Sequence, residues 1–279
     1  MSLRAALAGG VLGASFLSAC VLTTDLDGFA GASPPDGGPE AGSAADAGGD
    51  AGPQGAGDAS DAEAGPSPGF CRGLTPAPLF CDDFDDAPLT QRWDEVHVPA
   101  NGVFALDDTV SSSAARSLFF RLPAASAGDP TGFVRRSFPS TASKITLTFD
   151  LRIDVAPPDN NQSYAAQISV VTKSGEVRAY LHIGTGVTAM QPWENGTFPG
   201  DINMPALTSE FTRVSIALVL AKGASTLRVT YNGAQVVPTT ALGAAWEPGV
   251  PSLYLGATYV NSPVVERAFH YDNVVLDAQ

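Results

Sequence analysis

Residues 144–155 read KITLTFDLRIDV, and their alternation decides the fold class. Ile145, Leu147, Phe149, Leu151, Ile153 and Val155 are apolar, and Lys, Thr, Asp and Arg stand between them. Successive side chains of a strand point to opposite faces, so this period predicts one long strand with one buried face. The same period recurs in RSLFFRL (116–122), GFVRRSF (132–138), EVRAYLHIG (176–184), TRVSIALVL (212–220), TLRVTYNG (226–233), PSLYLG (251–256) and FHYDNVVLD (269–277). Pro and Gly punctuate the gaps, as in APPDNN, VTKSGE, NGTFPGD and LAKGAS. No amphipathic helix of ten residues interrupts the pattern. About a dozen strands between residues 70 and 279 predict an all-β domain of two antiparallel sheets packed face to face.

The residues before this domain have another character. Met1–Leu17 carries one charge, Arg4, then an apolar run rich in Ala and Gly, too short for a comfortable membrane span. It reads as a secretory signal. Leu17-Ser18-Ala19-Cys20 resembles the lipobox of bacterial lipoproteins. That resemblance implies cleavage after residue 19 and a lipid on Cys20. Val21, where an aspartate often retains such proteins in the inner membrane, favours the outer membrane of a Gram-negative envelope. Residues 20–69 form a linker rich in Gly, Ala, Pro and Asp. From Gly31 to Gly69 only Glu40, Gln54 and Glu63 fall outside Gly, Ala, Ser, Pro and Asp. Nothing there can offset the entropy of ordering the chain. A flexible segment of that length has a root-mean-square span of roughly 35 Å, enough to hold a domain clear of a membrane.

Residues 1–69 hold nine acids and one base, and residues 70–279 hold 20 acids and 14 bases. No basic footprint suggests nucleic acid. With Cys20 assigned to the lipid, Cys71 and Cys81 remain, and in an exported protein they most simply form one disulfide. A zinc or redox pair is the poorer alternative, because no further Cys or His stands at ligand spacing.

TRVSIALVLAKGASTLRVTYNGAQVV, then PSLYLG, then FHYDNVVLD together resemble the second half of concanavalin A-like domains, especially the laminin G-like branch. The opening Asp82-Asp83-Phe84-Asp85, with Trp93 downstream, resembles the start of family 16 glycoside hydrolases, which share that jelly roll. The likeness covers about residues 79–277 in short, tolerant motifs, and supports fold better than activity. It implies that first and last strands lie together, and that a structural calcium sits near their junction. Asp272 would be its carboxylate ligand, joined by backbone carbonyls, with Asp83 and Asp85 as partners, since calcium takes six to eight hard oxygens. The alternative is that these aspartates cap turns or pair with Arg92 and Arg267.

The hydrolases of this fold carry Glu-x-Asp-x-Glu on one strand, because glycoside cleavage needs two carboxylates at close range. Gln167, Ser169 and Val171 stand at the best local counterpart, and the motif occurs nowhere in the chain. We therefore expect no catalytic carboxylate pair. A lyase of this fold could use His182 or His270 with Tyr180 or Tyr271 as a proton-transfer pair. His97, His182 and His270 otherwise read as residues on the solvent faces of strands. There is no nucleophile elbow, P-loop or dinucleotide fingerprint. MQPWENGTFPGDIN (190–203) lacks strand period and reads as a loop, with Trp193, Glu194, Asn195 and Asp201 as candidate sugar contacts. Trp193 folded onto the sandwich rim is the competing reading. Trp93 and Trp246 read as structural. The sequence thus points to a lipid-anchored, non-catalytic sandwich that binds a glycan or an envelope partner. A polysaccharide lyase or hydrolase, or a purely structural envelope module, is the alternative.

Overall fold

The computed structural model describes residues 69–98, 101–124, 131–158, 163–260 and 265–279. Cys20, the secretory signal and the linker up to Pro68 lie outside the described residues. Fifteen strands, one four-residue 3₁₀ turn (Phe70–Gly73) and one helical turn, α1 (Leu89–Arg92), make up the described elements. No helix among the described residues is long and apolar enough to cross a membrane.

One sheet has eight strands. Its order is β13 (Ala234–Ala241), β12 (Thr226–Tyr231), β11 (Thr212–Val219), β6 (Lys144–Val155), β15 (Arg267–Ala278), β4 (Ser117–Leu122) and β3 (Val103–Asp107), and β1 (Phe80–Asp82) also pairs with β15. The other has seven: β10 (Ile202–Met204), β9 (Thr188–Glu194), β8 (Gly175–Ile183), β7 (Tyr164–Thr172), β14 (Val250–Ala257), β5 (Gly132–Ser137) and β2 (Glu95–His97). All neighbours are antiparallel, and the two sheets form a jelly-roll sandwich.

Residues 144–155 form β6, and five of its six apolar residues, Ile145 to Ile153, face the core, while Val155 at its end is half-buried. Ile145, Leu147, Phe149 and Leu151 have no exposed surface, while Thr146 and Thr148 on the other face are half-buried. They meet Ile168, Val170, Val177 and Leu253 of the second sheet in one apolar cluster. Burying each such side chain contributes roughly 1.5–3 kcal/mol. Asn232-Gly233 joins β12 to β13 with φ of 48° and 81°, the left-handed pair that a two-residue hairpin requires. First and last strands do lie together, with Cys81 opposite Val275. The Cys71–Cys81 disulfide ties the 3₁₀ turn to β1.

The structure departs from the sequence reading at MQPWEN. Residues 188–194 are strand β9, and Asn195-Gly196 is itself a turn, with φ of 46° and 90°. Pro192 broke the pattern to the eye because it lacks an N–H. β10 pairs only with Thr188–Met190, so the far edge of β9 is open at Pro192 and needs no donor there.

Candidate functional site

The outward face of the seven-stranded sheet carries the most unusual chemistry of the domain. Strand register lays its side chains in rows. Glu95, Arg135, Tyr254, Gln167, Tyr180 and Gln191 stand side by side across six strands. The neighbouring row holds Ser252, Ser169, Arg178 and Trp193. His182 is two residues along β8 from Tyr180, so it shares this face. An outward face should be wet, yet Gln167 is 6% exposed, Tyr180 8%, His182 4% and Gln191 1%. Polar side chains so deeply covered need partners. The Gln191 amide nitrogen lies 3.3 Å from His182 Nδ1. The Tyr164 ring stacks on Tyr180 at 4.2 Å and meets the His182 ring edge-on at 6.3 Å. Tyr259, 47% exposed, continues the row of rings at 5.5 Å from Tyr164.

Charge is concentrated on one side of these rings. Arg178 donates to Glu176 and, at 3.1 Å, to the Tyr180 hydroxyl, and its guanidinium lies 4.8 Å from the centre of the Trp193 ring. Ser169 donates to the same Glu176. The Arg178 bond holds the Glu176 carboxyl below its ordinary range. Burial raises Tyr180 despite the opposing Arg178, and burial, with Tyr180, Tyr259 and Asp201 nearby, pushes Tyr164 up to about 12. Both phenols therefore stay protonated near neutrality. Aromatic faces flanked by amide, hydroxyl and guanidinium donors are suited to a sugar's C–H face and its oxygens.

The residues singled out in the sequence divide between several tasks. Trp193 is on this face, half-buried on strand β9, and not in a loop. Asp201 is exposed, and its charge reaches Tyr164. Glu194 instead accepts the Gly243 N–H at 2.8 Å, and Asn195 serves its turn by donating to the Ser174 carbonyl. Gln167 and Ser169 do stand on the middle strand of this sheet, where no carboxylate pair replaces them. His182 and Tyr180 share one face, but His270 and Tyr271 are adjacent on β15 and face opposite ways. The His270 nitrogens meet Asp154 and Asp107, whereas Tyr271 is buried in the core and donates to the Ala165 carbonyl at 2.7 Å. His97 is half-buried, its ring 5.2 Å from Phe133. Trp93 and Trp246 are buried core residues.

The opening aspartates each hold a different part of the chain. Asp82 accepts the Trp93 indole at 2.8 Å and the Phe84 N–H. Asp83 accepts the Cys71 N–H, Asp85 the N–H groups of Ala115 and Arg116, and Asp86 the Arg72 guanidinium. β1 ends at Asp82 and Phe84 has φ of 60°, so the strand spacing that would align Asp83 with Asp85 is lost. Asp272 accepts the N–H groups of Ser112, Ser113 and Asn273. Burial, with Asp150 beside it, outweighs these donors and pushes its carboxyl up to about 6. Asp150 itself is held below its ordinary range, burial being outweighed by Arg213, Asn273 and Ser112. No three His, Cys, Asp or Glu side chains among the described residues are gathered to hold a metal. In this structure Asp83, Asp85 and Asp272 each accept from their own backbone partners.

Sequence reasoning missed Tyr164, Arg178, Gln191, Tyr254 and Arg135. Their signal was weak: polar residues on the expected solvent side of strands look alike whether wet or covered.

No protein-family profile matches the chain, and no curated protein matches it. Solved structures do resemble it. An endo-β-1,4-glucuronan lyase from the fungus Trichoderma reesei superposes with a TM-score of 0.56 at 13% identity, over 72% of this chain and 96% of that one. The cellulose-induced protein Cip1 gives 0.55 at 14% identity, over 72% and 97%. The alginate lyase AlgAT5, of polysaccharide lyase family 7, gives 0.44 at 14% identity, over 66% and 93%. At such identities the first two likenesses show a shared fold.

Proposed function

We propose that the protein binds a polysaccharide on the outward face of β7, β8 and β9, and that a lipid on Cys20 anchors it to the cell envelope. One observation carries the binding reading: Gln167, Tyr180, His182 and Gln191 form a polar floor rimmed by aromatic rings on one sheet face. Tyr164, Tyr254, Trp193 and Tyr259 supply accessible rings around that floor. A second reading is favoured by the Tyr180–Arg178 bond beside His182, and by the name of the glucuronan lyase that shares the fold. In that reading the face eliminates across a glycosidic bond. A protonated Tyr180 would donate to the leaving oxygen, His182 would take the sugar proton, and Arg178 would balance a substrate carboxylate.

A panel of neutral and acidic polysaccharides, incubated with the full chain, separates the readings. Retention on a polysaccharide without new unsaturated ends supports binding alone. Appearance of unsaturated ends, lost in His182→Ala, establishes the lyase. Neither retention nor product with any member of the panel rejects both, and leaves a structural envelope module. The anchor is tested separately, by a fatty-acid probe that labels the wild type and not Cys20→Ser. The calcium expectation retains one form, a site of Asp272 with backbone carbonyls. Its test is a melting temperature that rises with calcium in the wild type and not in Asp272→Asn.

A further inference from the structure

Beside the disulfide lies a cavity of about 500 Å³ whose lining holds three guanidinium groups, Arg72, Arg92 and Arg136, against one carboxylate, Asp86. The arginines come from three separate elements: the 3₁₀ turn, the end of α1 and strand β5. Within the lining bases outnumber acids three to one, while Arg136 is paired with Asp94 beyond it and the charge of Arg92 reaches the buried Asp82. Their present neutralisation is loose. Arg72 reaches Asp86 at 2.8 Å, but the two side chains are 66% and 42% exposed, and exposed pairs exchange easily with solvent ions. Arg136 is paired with Asp94 at 2.7 Å, while its guanidinium lies 5.9 Å from the centre of the Phe80 ring. Pro78 and Leu79, the latter 52% exposed, add an apolar wall. Planar guanidiniums bind tetrahedral oxyanions through paired N–H donors, and three of them around one cavity supply such donors.

We propose that this cavity binds a sulfate or phosphate ester, with Arg92 and Arg136 as its primary donors and Asp86 as a built-in competitor for Arg72. The site is separate from the polysaccharide face, since Gln167, Tyr180 and His182 do not line it.

Titration calorimetry on the full chain tests the assignment, with inorganic sulfate, glucose sulfate and vesicles containing phosphatidic acid as probes. At least one probe should bind, and its identity distinguishes a free anion, a sugar-borne group and a lipid headgroup. Arg92→Ala should weaken that binding about tenfold or more, the usual consequence of removing a charge-assisted donor. Asp86→Asn should strengthen it several-fold, because the competing carboxylate is gone. The melting temperatures of both variants should stay near that of wild type, which reports intact folding. The assignment fails if no probe binds up to about 10 mM, a concentration that already admits very weak sites. It fails equally if Arg92→Ala leaves the affinity unchanged, or if Asp86→Asn lowers it.

Discussion

The two sheets present the same kind of face inward and different kinds outward. Outside β6, β11 and β12, the eight-stranded sheet shows Thr146, Thr148, Ser215, Arg228 and Thr230, half-buried or exposed and small or singly charged. Outside β7, β8 and β9, the seven-stranded sheet shows Gln167, Tyr180, His182 and Gln191, all buried. Both sets obey the strand period, so secondary structure demands neither. Further along the same face Asp150, His270 and Asp272 are buried as well, but each is held by charged or backbone partners. On the seven-stranded face Gln191 meets His182, Tyr180 takes a bond from Arg178, and tyrosine and tryptophan rings lie around them.

The strongest challenge to this comparison concerns the shared interior. Phe149→Ala on one sheet and Leu253→Ala on the other should each destabilise by about 2–5 kcal/mol, read from denaturant unfolding. A large loss on one sheet with a negligible loss on the other would mean that the cluster is not one core. Next in size is the Cys71–Cys81 bridge, which pins the 3₁₀ turn to the edge of β15 through β1. Reduction should lower stability by roughly 2–3 kcal/mol, as closing so short a loop implies. Two free thiols in protein isolated under oxidising conditions would contradict it.

The outward faces are contrasted by binding. His182→Ala and Tyr180→Phe should weaken retention on the polysaccharide about tenfold or more, the effect of deleting a buried hydrogen-bonding group. Thr148→Ala and Thr230→Ala, on the other sheet, should leave retention unchanged and shift stability by less than about 0.5 kcal/mol. Equal effects on both faces would remove the reason for placing the site where it is.

The smallest effect belongs to charge on the eight-stranded sheet. Burial opposes the Asp107 carboxylate, but Thr109 and His270 outweigh it and hold its pKa at about 2. An acid depressed in the folded state contributes stability above its unfolded value near 3.8, and that contribution is lost as pH falls through about 2. After allowance for solvent screening, the loss across that window should be roughly 1 kcal/mol. Asp107→Asn should flatten this part of the acid-unfolding curve. An unchanged curve would show that the clamp on His270 adds nothing.

Legibility followed the same division. β6, β8, β11, β12, β14 and β15 were readable because alternation is local, and one buried face suffices to produce it. β9 was not, because Pro192 and Trp193 conceal a strand whose edge happens to be open. Asp83 and Asp85 were placed on one face by spacing, but spacing holds only while the backbone stays extended, and Phe84 turns it. Cys71 and Cys81 were paired by arithmetic, and the structure joins them.

The sequence by itself determined the all-β sandwich and the meeting of first and last strands that its likeness to a known fold implied. Each depends on composition, local period or motif order. Only the tertiary structure decided that Tyr180 and His182 are covered, since their burial depends on the register of β7 and β9 against β8 and on the packing of Tyr164, which alternation does not state. It likewise decided that Arg72, Arg92 and Arg136 share one cavity. Charge is written residue by residue, but a field is made by neighbours in space.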